Sequence, residues 1–129
     1  TLRNQYNYNV FMFSYETAKT TLTAQVYKEV GFHGGGGMNL FNEGYSIFGE
    51  LCVPFTPLTI FGRYDLFWGE FDCLASWGLN YEIYIGGIAW KFYKKNRLLF
   101  DIEHEACFNS MTLDVTKSTT AELALEIVF

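Results

Sequence analysis

The last nine residues, Ala121-Glu122-Leu123-Ala124-Leu125-Glu126-Ile127-Val128-Phe129, alternate with a period of two. Ala121, Leu123, Leu125, Ile127 and Phe129 fall on one face of an extended chain, and Glu122, Ala124, Glu126 and Val128 fall on the other. Successive side chains of a strand point to opposite sides, so this pattern predicts a strand whose two faces meet different surroundings.

The same reading extends upstream. Leu98, Phe100, Ile102, Ala106 and Phe108 share a face opposite Arg97, Asp101, Glu103 and Glu105, with His104 as the polar residue on the apolar side. Leu58, Ile60, Gly62, Tyr64, Leu66 and Trp68 alternate with Thr59, Phe61, Arg63, Asp65 and Phe67. Tyr45, Ile47, Gly49, Leu51, Val53 and Phe55 alternate with Ser46, Phe48, Glu50 and Cys52. Leu22, Ala24, Val26, Val30 and Phe32 form an apolar set interrupted by Lys28 and opposed by Thr21, Thr23, Gln25, Tyr27 and Glu29. Tyr81 to Tyr93 changes phase at Gly86-Gly87, which predicts a bulge there. Tyr6 to Glu16 is aromatic on both faces, so its orientation stays open.

About seven strands of roughly ten residues result, the length of a tilted strand crossing a bilayer. Their connections alternate: short at Thr17–Thr20, Pro54–Pro57 and Lys94–Asn96, long at Gly31–Gly44, Gly69–Asn80 and Asn109–Ser118. The chain is one domain's worth, residues 1–129, and no apolar run is long enough for a membrane-spanning helix. Half its residues are hydrophobic, 19% are aromatic and only 18% are charged, which excludes a disordered, charge-rich segment. The net charge of −5, with no basic cluster, argues against a nucleic-acid partner.

Taken together, the pattern resembles the bacterial outer-membrane β-barrels of the porin type. The resemblance rests on the terminal Phe129 with Leu123, Leu125 and Ile127 at alternate positions, on the short and long connections, and on two hairpin-like stretches, residues 44–71 with Phe61-Gly62-Arg63-Tyr64-Asp65 and residues 86–105. It implies an all-β, antiparallel up-and-down transmembrane β-barrel in the outer membrane. Partners would be outer-membrane lipid, the barrel assembly machinery that reads the terminal strand, and small hydrophilic solutes diffusing through the lumen; porins are commonly trimers. Physics agrees: in lipid every backbone polar group needs a partner, and lipid-facing residues must be apolar. Aromatics gather at the interfaces of such barrels, and Tyr45, Phe55, Trp68, Phe92, Tyr93, Phe108 and Phe129 lie near expected strand ends. Seven strands make an odd count, so the chain reads as the C-terminal part of a larger barrel; eight strands, forming a small closed barrel, is the alternative.

The alternation assigns Glu29, Glu50, Arg63, Asp65, Lys91, Arg97, Asp101, Glu103, Glu105, Glu122 and Glu126 to the lumen. Eight are acidic and three basic, which favours cations weakly over anions. The same charges also serve to hydrate the wall and pair with one another, Arg63 with Asp65 or Glu50 in particular. Lys28 on the apolar face is acceptable only near an interface, where its cost falls to about 0–1 kcal/mol. No enzyme is expected: His104 points away from Asp101, Glu103 and Glu105, and Glu103 with Glu105 reads as a hydrated wall. Cys52, Cys73 and Cys107 lack metal spacing, and the four glycines at Gly34–Gly37 lack the following Lys-Ser/Thr of a phosphate loop, so no metal or cofactor is expected. Two other classes stay open: a soluble β-barrel binding a hydrophobic small molecule, and a small closed structural barrel of the outer membrane.

Overall fold

The computed structural model describes residues 5–33, 38–73, 75–109 and 112–128. These residues form one antiparallel sheet of seven strands and no helix: β1 (Gln5–Glu16), β2 (Thr20–His33), β3 (Met38–Cys52), β4 (Leu58–Cys73), β5 (Ala75–Tyr93), β6 (Asn96–Asn109) and β7 (Asp114–Glu126). Each strand pairs with its neighbours in sequence, in the order β1-β2-β3-β4-β5-β6-β7. The sheet is not closed, because β1 and β7 are not paired with each other.

Two expectations are corrected. The ladder passes Gly86-Gly87 without a shift, pairing Gly62 with Gly86 and Phe61 with Gly87; the irregularity falls between Lys91 and Tyr93. Ile83 and Ile85 therefore share a face with Lys91, and Tyr84 shares one with Ile88. The apparent phase change arose because Ile83 and Ile85 are apolar residues on the otherwise polar face. Secondly, the strands run 12 to 19 residues, well past the ten expected. Much of what read as long connections is paired strand: His33 faces Met38, and Cys73 faces Ala75. Alternation reports where side chains meet two environments, whereas pairing needs only backbone groups, so a ladder can outrun the pattern. Tyr45 and Trp68 consequently sit inside the ladder and not at strand ends.

The short connections are as expected. In the β1–β2 turn, the Thr20 and Lys19 amides donate to Thr17 Oγ1. The β3–β4 turn is closed by the Val53 amide donating to the Leu58 carbonyl at 2.9 Å. Phe55, Lys94 and Leu113 take left-handed backbone, with φ of 61°, 49° and 58°, each in a connection.

Directly paired residues share a face, and the register sorts the side chains cleanly. One face carries Phe11, Val26, Ile47, Ile60, Ile88, Phe100 and Leu123, all exposed. The other carries Glu29, Arg63, Glu103 and Glu122. The only buried hydrophobic residue described is Ala89, so the sheet has no core of its own.

The faces differ in crowding. A Cβ added on the polar face would meet the Tyr27 ring at 2.6 Å from Gly44, the Asn42 side chain at Gly69 and Phe61 Cζ at 2.5 Å from Gly87. On the apolar face the nearest atoms lie at 4.0 Å from Gly49 and 3.6 Å from Gly62, and nothing lies within 4 Å of Gly86. Side chains converge on the concave side of a curved sheet and diverge on the convex side. Gly49, Gly62 and Gly86 face one another across β3, β4 and β5, so their open space reflects missing side chains. Exposure shows the curvature instead: along β2 the apolar-face residues Leu22, Val26, Lys28 and Val30 are exposed, while Thr21, Thr23, Gln25, Tyr27 and Glu29 on the polar face are half-buried, so the polar face is the concave one.

Candidate functional site

The concave face is the candidate site, and all eleven charged residues expected there share it: Glu29 on β2, Glu50 on β3, Arg63 and Asp65 on β4, Lys91 on β5, Arg97, Asp101, Glu103 and Glu105 on β6, and Glu122 and Glu126 on β7. Glu16 joins them through its pairing with Thr21. The sequence left Glu16 unplaced because β1 is apolar on both sides; only the register with β2 orients it.

Two tight ion pairs anchor this face. Arg63 Nε reaches Asp65 Oδ2 at 2.7 Å and donates to Oδ1 at 3.0 Å. Asp65 is 9% exposed, so its charge is largely shielded from water, while the Arg63 side chain stays half exposed. The i, i+2 spacing on one strand face, about 7 Å between Cα atoms, suits an Arg folding back on a shorter Asp. Arg97 Nη2 reaches Glu126 Oε2 at 2.7 Å across the β6–β7 pairing. The Asn42 amide donates to Glu29 at 3.2 Å.

The remaining carboxylates form a different surface. Asp101 directly faces Glu122, while Glu103 faces Thr120 and Glu105 faces Ser118. On the β5 side these positions face Gly87, Ile85 and Ile83. Among the described residues no ion pair ends on Asp101, Glu103, Glu105 or Glu122. Like charges directly opposite repel, so this patch holds a negative potential that Arg63 and Arg97, already paired, do not cancel.

Short-turn ends carry the opposite bias. Lys91, Lys95 and Arg97 line a cleft of about 350 Å³ with Glu50, Cys52, Thr59, Glu126 and Val128. A second cleft of about 270 Å³ lies beyond the acidic patch among Tyr81, Glu105, Cys107, Thr116 and Ser118. Among the described residues no group of three His, Cys, Asp or Glu is arranged to hold a metal ion.

The concave face is not uniformly polar. Val10, Met12, Phe48, Phe61, Ile83 and Ile85 belong to it by register. Phe67 and Tyr81 stack there with centroids 4.8 Å apart. Alternation placed Phe48, Phe61 and Phe67 here, but not Val10, Met12, Ile83 and Ile85, because β1 is apolar on both faces and β5 read as changing phase.

On the convex face, Leu123 and Leu125 continue the apolar side of β7, with Ile127 exposed just past its end. Phe129 lies outside the described residues. Lys28 falls on this face, as the pattern required, with Nζ 2.9 Å from Glu43 Oε1 and 4.6 Å from the Phe41 ring centroid. His104 Nδ1 is 2.9 Å from Thr119 Oγ1, on the opposite side of the sheet from Asp101, Glu103 and Glu105. Set against known families, curated proteins and solved structures, the chain matches none of them.

Proposed function

We propose that this chain forms part of the wall of a porin-like β-barrel in a bacterial outer membrane, a channel through which small hydrophilic solutes diffuse with a weak preference for cations. One observation carries this reading: the charged face is the less exposed, concave one and the apolar face the exposed, convex one. A barrel continuing this curvature has a polar lumen and an apolar exterior, the arrangement a lipid environment demands. A soluble barrel holding a hydrophobic ligand needs the reverse, so that reading loses support. Unpaired Asp101, Glu103, Glu105 and Glu122 supply the cation preference. In this reading the terminal strand, with Leu123, Leu125, Ile127 and Phe129, is the segment addressed by the barrel assembly machinery, and trimer formation follows porin habit.

A second reading has its own observation. Val10, Met12, Phe48, Phe61, Ile83 and Ile85 on the concave face suit a narrow barrel whose interior is filled by side chains, as in eight-stranded barrels. Such a barrel is structural and does not conduct.

The test is made on the protein from its native membrane. Heat-dependent migration in SDS together with conductance in planar bilayers supports the channel. A heat shift without conductance supports the narrow, filled barrel. Solubility in plain buffer with no heat shift overturns both.

A further inference from the structure

Near the short turns, two neighbouring rows of the concave face differ in side-chain size. Cys52, Thr59, Ala89, Leu99 and Ala124 face one another across β3 to β7, and all but Leu99 are small. In the next row Lys91 faces Arg97, which faces Glu126, and all three are long and charged. Ala89 is only 3% exposed, so its neighbours close over it. The cleft of about 350 Å³ draws on both rows, with Cys52 and Thr59 from the first and the three charged residues from the second. Glu50 enters it from the row beyond, and Lys95 from the β5–β6 turn.

The charges in this cleft are only partly satisfied within it. Arg97 and Glu126 hold each other, with Nη2 2.7 Å from Oε2 and Nε donating to the same oxygen at 2.8 Å. Among the described residues no ion pair ends on Glu50, Lys91 or Lys95. Lys94, the other turn lysine, sits with Nζ 5.2 Å from the Tyr93 ring centroid and does not line the cleft. Glu50 is half-buried, whereas Lys91 and Lys95 are exposed. Glu50 and Lys91 stand two strands and four residues apart, about 17 Å between Cα atoms on a flat sheet. Thr59 lies on β4, the strand between them, and its Oγ1 donates to Cys52 Sγ at 3.8 Å. One side of the cleft therefore offers two ammonium groups, and the other a carboxylate.

This arrangement separates ligand classes by charge. A simple anion reaches Lys91 and Lys95 but brings its charge toward Glu50 and Glu126. A simple cation reaches Glu50 and meets two lysines. A molecule carrying both charges, held apart, satisfies both sides. We propose that the cleft binds a short zwitterionic peptide, its C-terminal carboxylate held by Lys91 and Lys95 and its N-terminal ammonium by Glu50. An extended dipeptide spans about 7 Å, the order of gap left when a lysine and a glutamate reach toward each other from Cα atoms that far apart. A single amino acid is about half as long and serves one side at a time.

The site depends on the fold and not on conduction, so it and the channel fail separately. The test measures binding to the purified, unmodified protein, with folding checked by circular dichroism, using saturation-transfer NMR and three probes. These are glycylglycine, its N-acetyl derivative, which lacks the ammonium, and its amide, which lacks the carboxylate. Glycylglycine should bind, and each blocked form should bind about fivefold more weakly, the effect of one partly exposed charge pair. Glu50→Gln should weaken glycylglycine about fivefold and leave the N-acetyl form unchanged. Lys91→Gln with Lys95→Gln should weaken glycylglycine at least as much and leave the amide unchanged. Lys94→Gln should alter none of the three. Equal binding of glycylglycine and its N-acetyl form makes this a simple anion site and overturns the proposal, as does the absence of glycylglycine binding to the folded protein. Peptide binding without conductance leaves this inference standing and removes the channel; conductance without peptide binding does the reverse.

Discussion

Lys28 and Glu43 face each other across β2 and β3, with Nζ 2.9 Å from Oε1, on the face that carries Val26, Ile47, Ile60, Ile88 and Leu123. The lysine side chain is half exposed, so the pair itself contributes at most about 1 kcal/mol in water. In lipid, position decides. Glu43→Leu should change folding stability in vesicles by no more than about 1 kcal/mol, because a lysine near the interface costs about 0–1 kcal/mol. Ile47→Lys, two pleats nearer the short turns, should cost about 2–4 kcal/mol. Urea titrations of folding into vesicles measure both, and equal penalties count against the assigned depth.

Gly86 and Gly87 are neighbours with opposite tolerance. A Cβ at Gly87 would meet Phe61 Cζ at 2.5 Å, the Phe100 carbonyl oxygen at 2.6 Å and Asp101 Cβ at 2.7 Å. The carbonyl belongs to a paired backbone and cannot step aside. Gly87→Val should destabilise by about 1–3 kcal/mol. Gly86→Val, with nothing within 4 Å, should be neutral or stabilising. Unfolding midpoints of the two variants in detergent provide the comparison.

Arg97 ties β6 to β7 through Glu126. Both side chains are about two-fifths exposed, so solvent screens the pair and Arg97→Ala should cost about 1 kcal/mol or less. A double-mutant cycle with Glu126→Gln isolates the term. Under the channel reading, Glu126→Leu should assemble normally yet lower cation preference, since it frees the Arg97 charge at the short-turn mouth; reversal potentials across a salt gradient measure it.

The carboxylates of β6 should matter more for selectivity than for folding. Glu103→Gln with Glu105→Gln removes two charges that no ion pair offsets, so cation preference should fall while the heat-shift behaviour persists. Unchanged reversal potentials in a folded double variant would end the assignment of selectivity to this patch.

The alternation of β2, β3, β4, β6 and β7 made the architecture readable, because the two faces of those strands differ chemically at nearly every step. Arg63 with Asp65, two residues apart on one face, was recognisable as a pair for the same reason. The pairing of Arg97 with Glu126 was not, since it depends on a 29-residue separation closed only by the register. β5 misled because Ile83 and Ile85 are apolar on the charged face, and a pattern based on polarity then mistakes a change of residue type for a change of orientation. Strand length misled at the far ends for a related reason: backbone pairing continues beyond Tyr45 and Trp68 without any signature in side-chain polarity. Which face is concave was not legible at all, since curvature shows only in the folded sheet, where Val26 and Ile88 are exposed while Tyr27 and Ile85 on the other face are half-buried.

The nearest-neighbour strand order has a consequence for how the molecule is built. Among the described residues each strand pairs only with its neighbours in sequence, so no pairing inside this sheet joins distant parts of the chain. Loop closure is then short at each step, and the entropic barrier stays low. Each strand, once paired, offers its far edge as a template to the next, so the sheet can grow by accretion of hairpins. Pairing of this kind can begin at any hairpin and spread to either side.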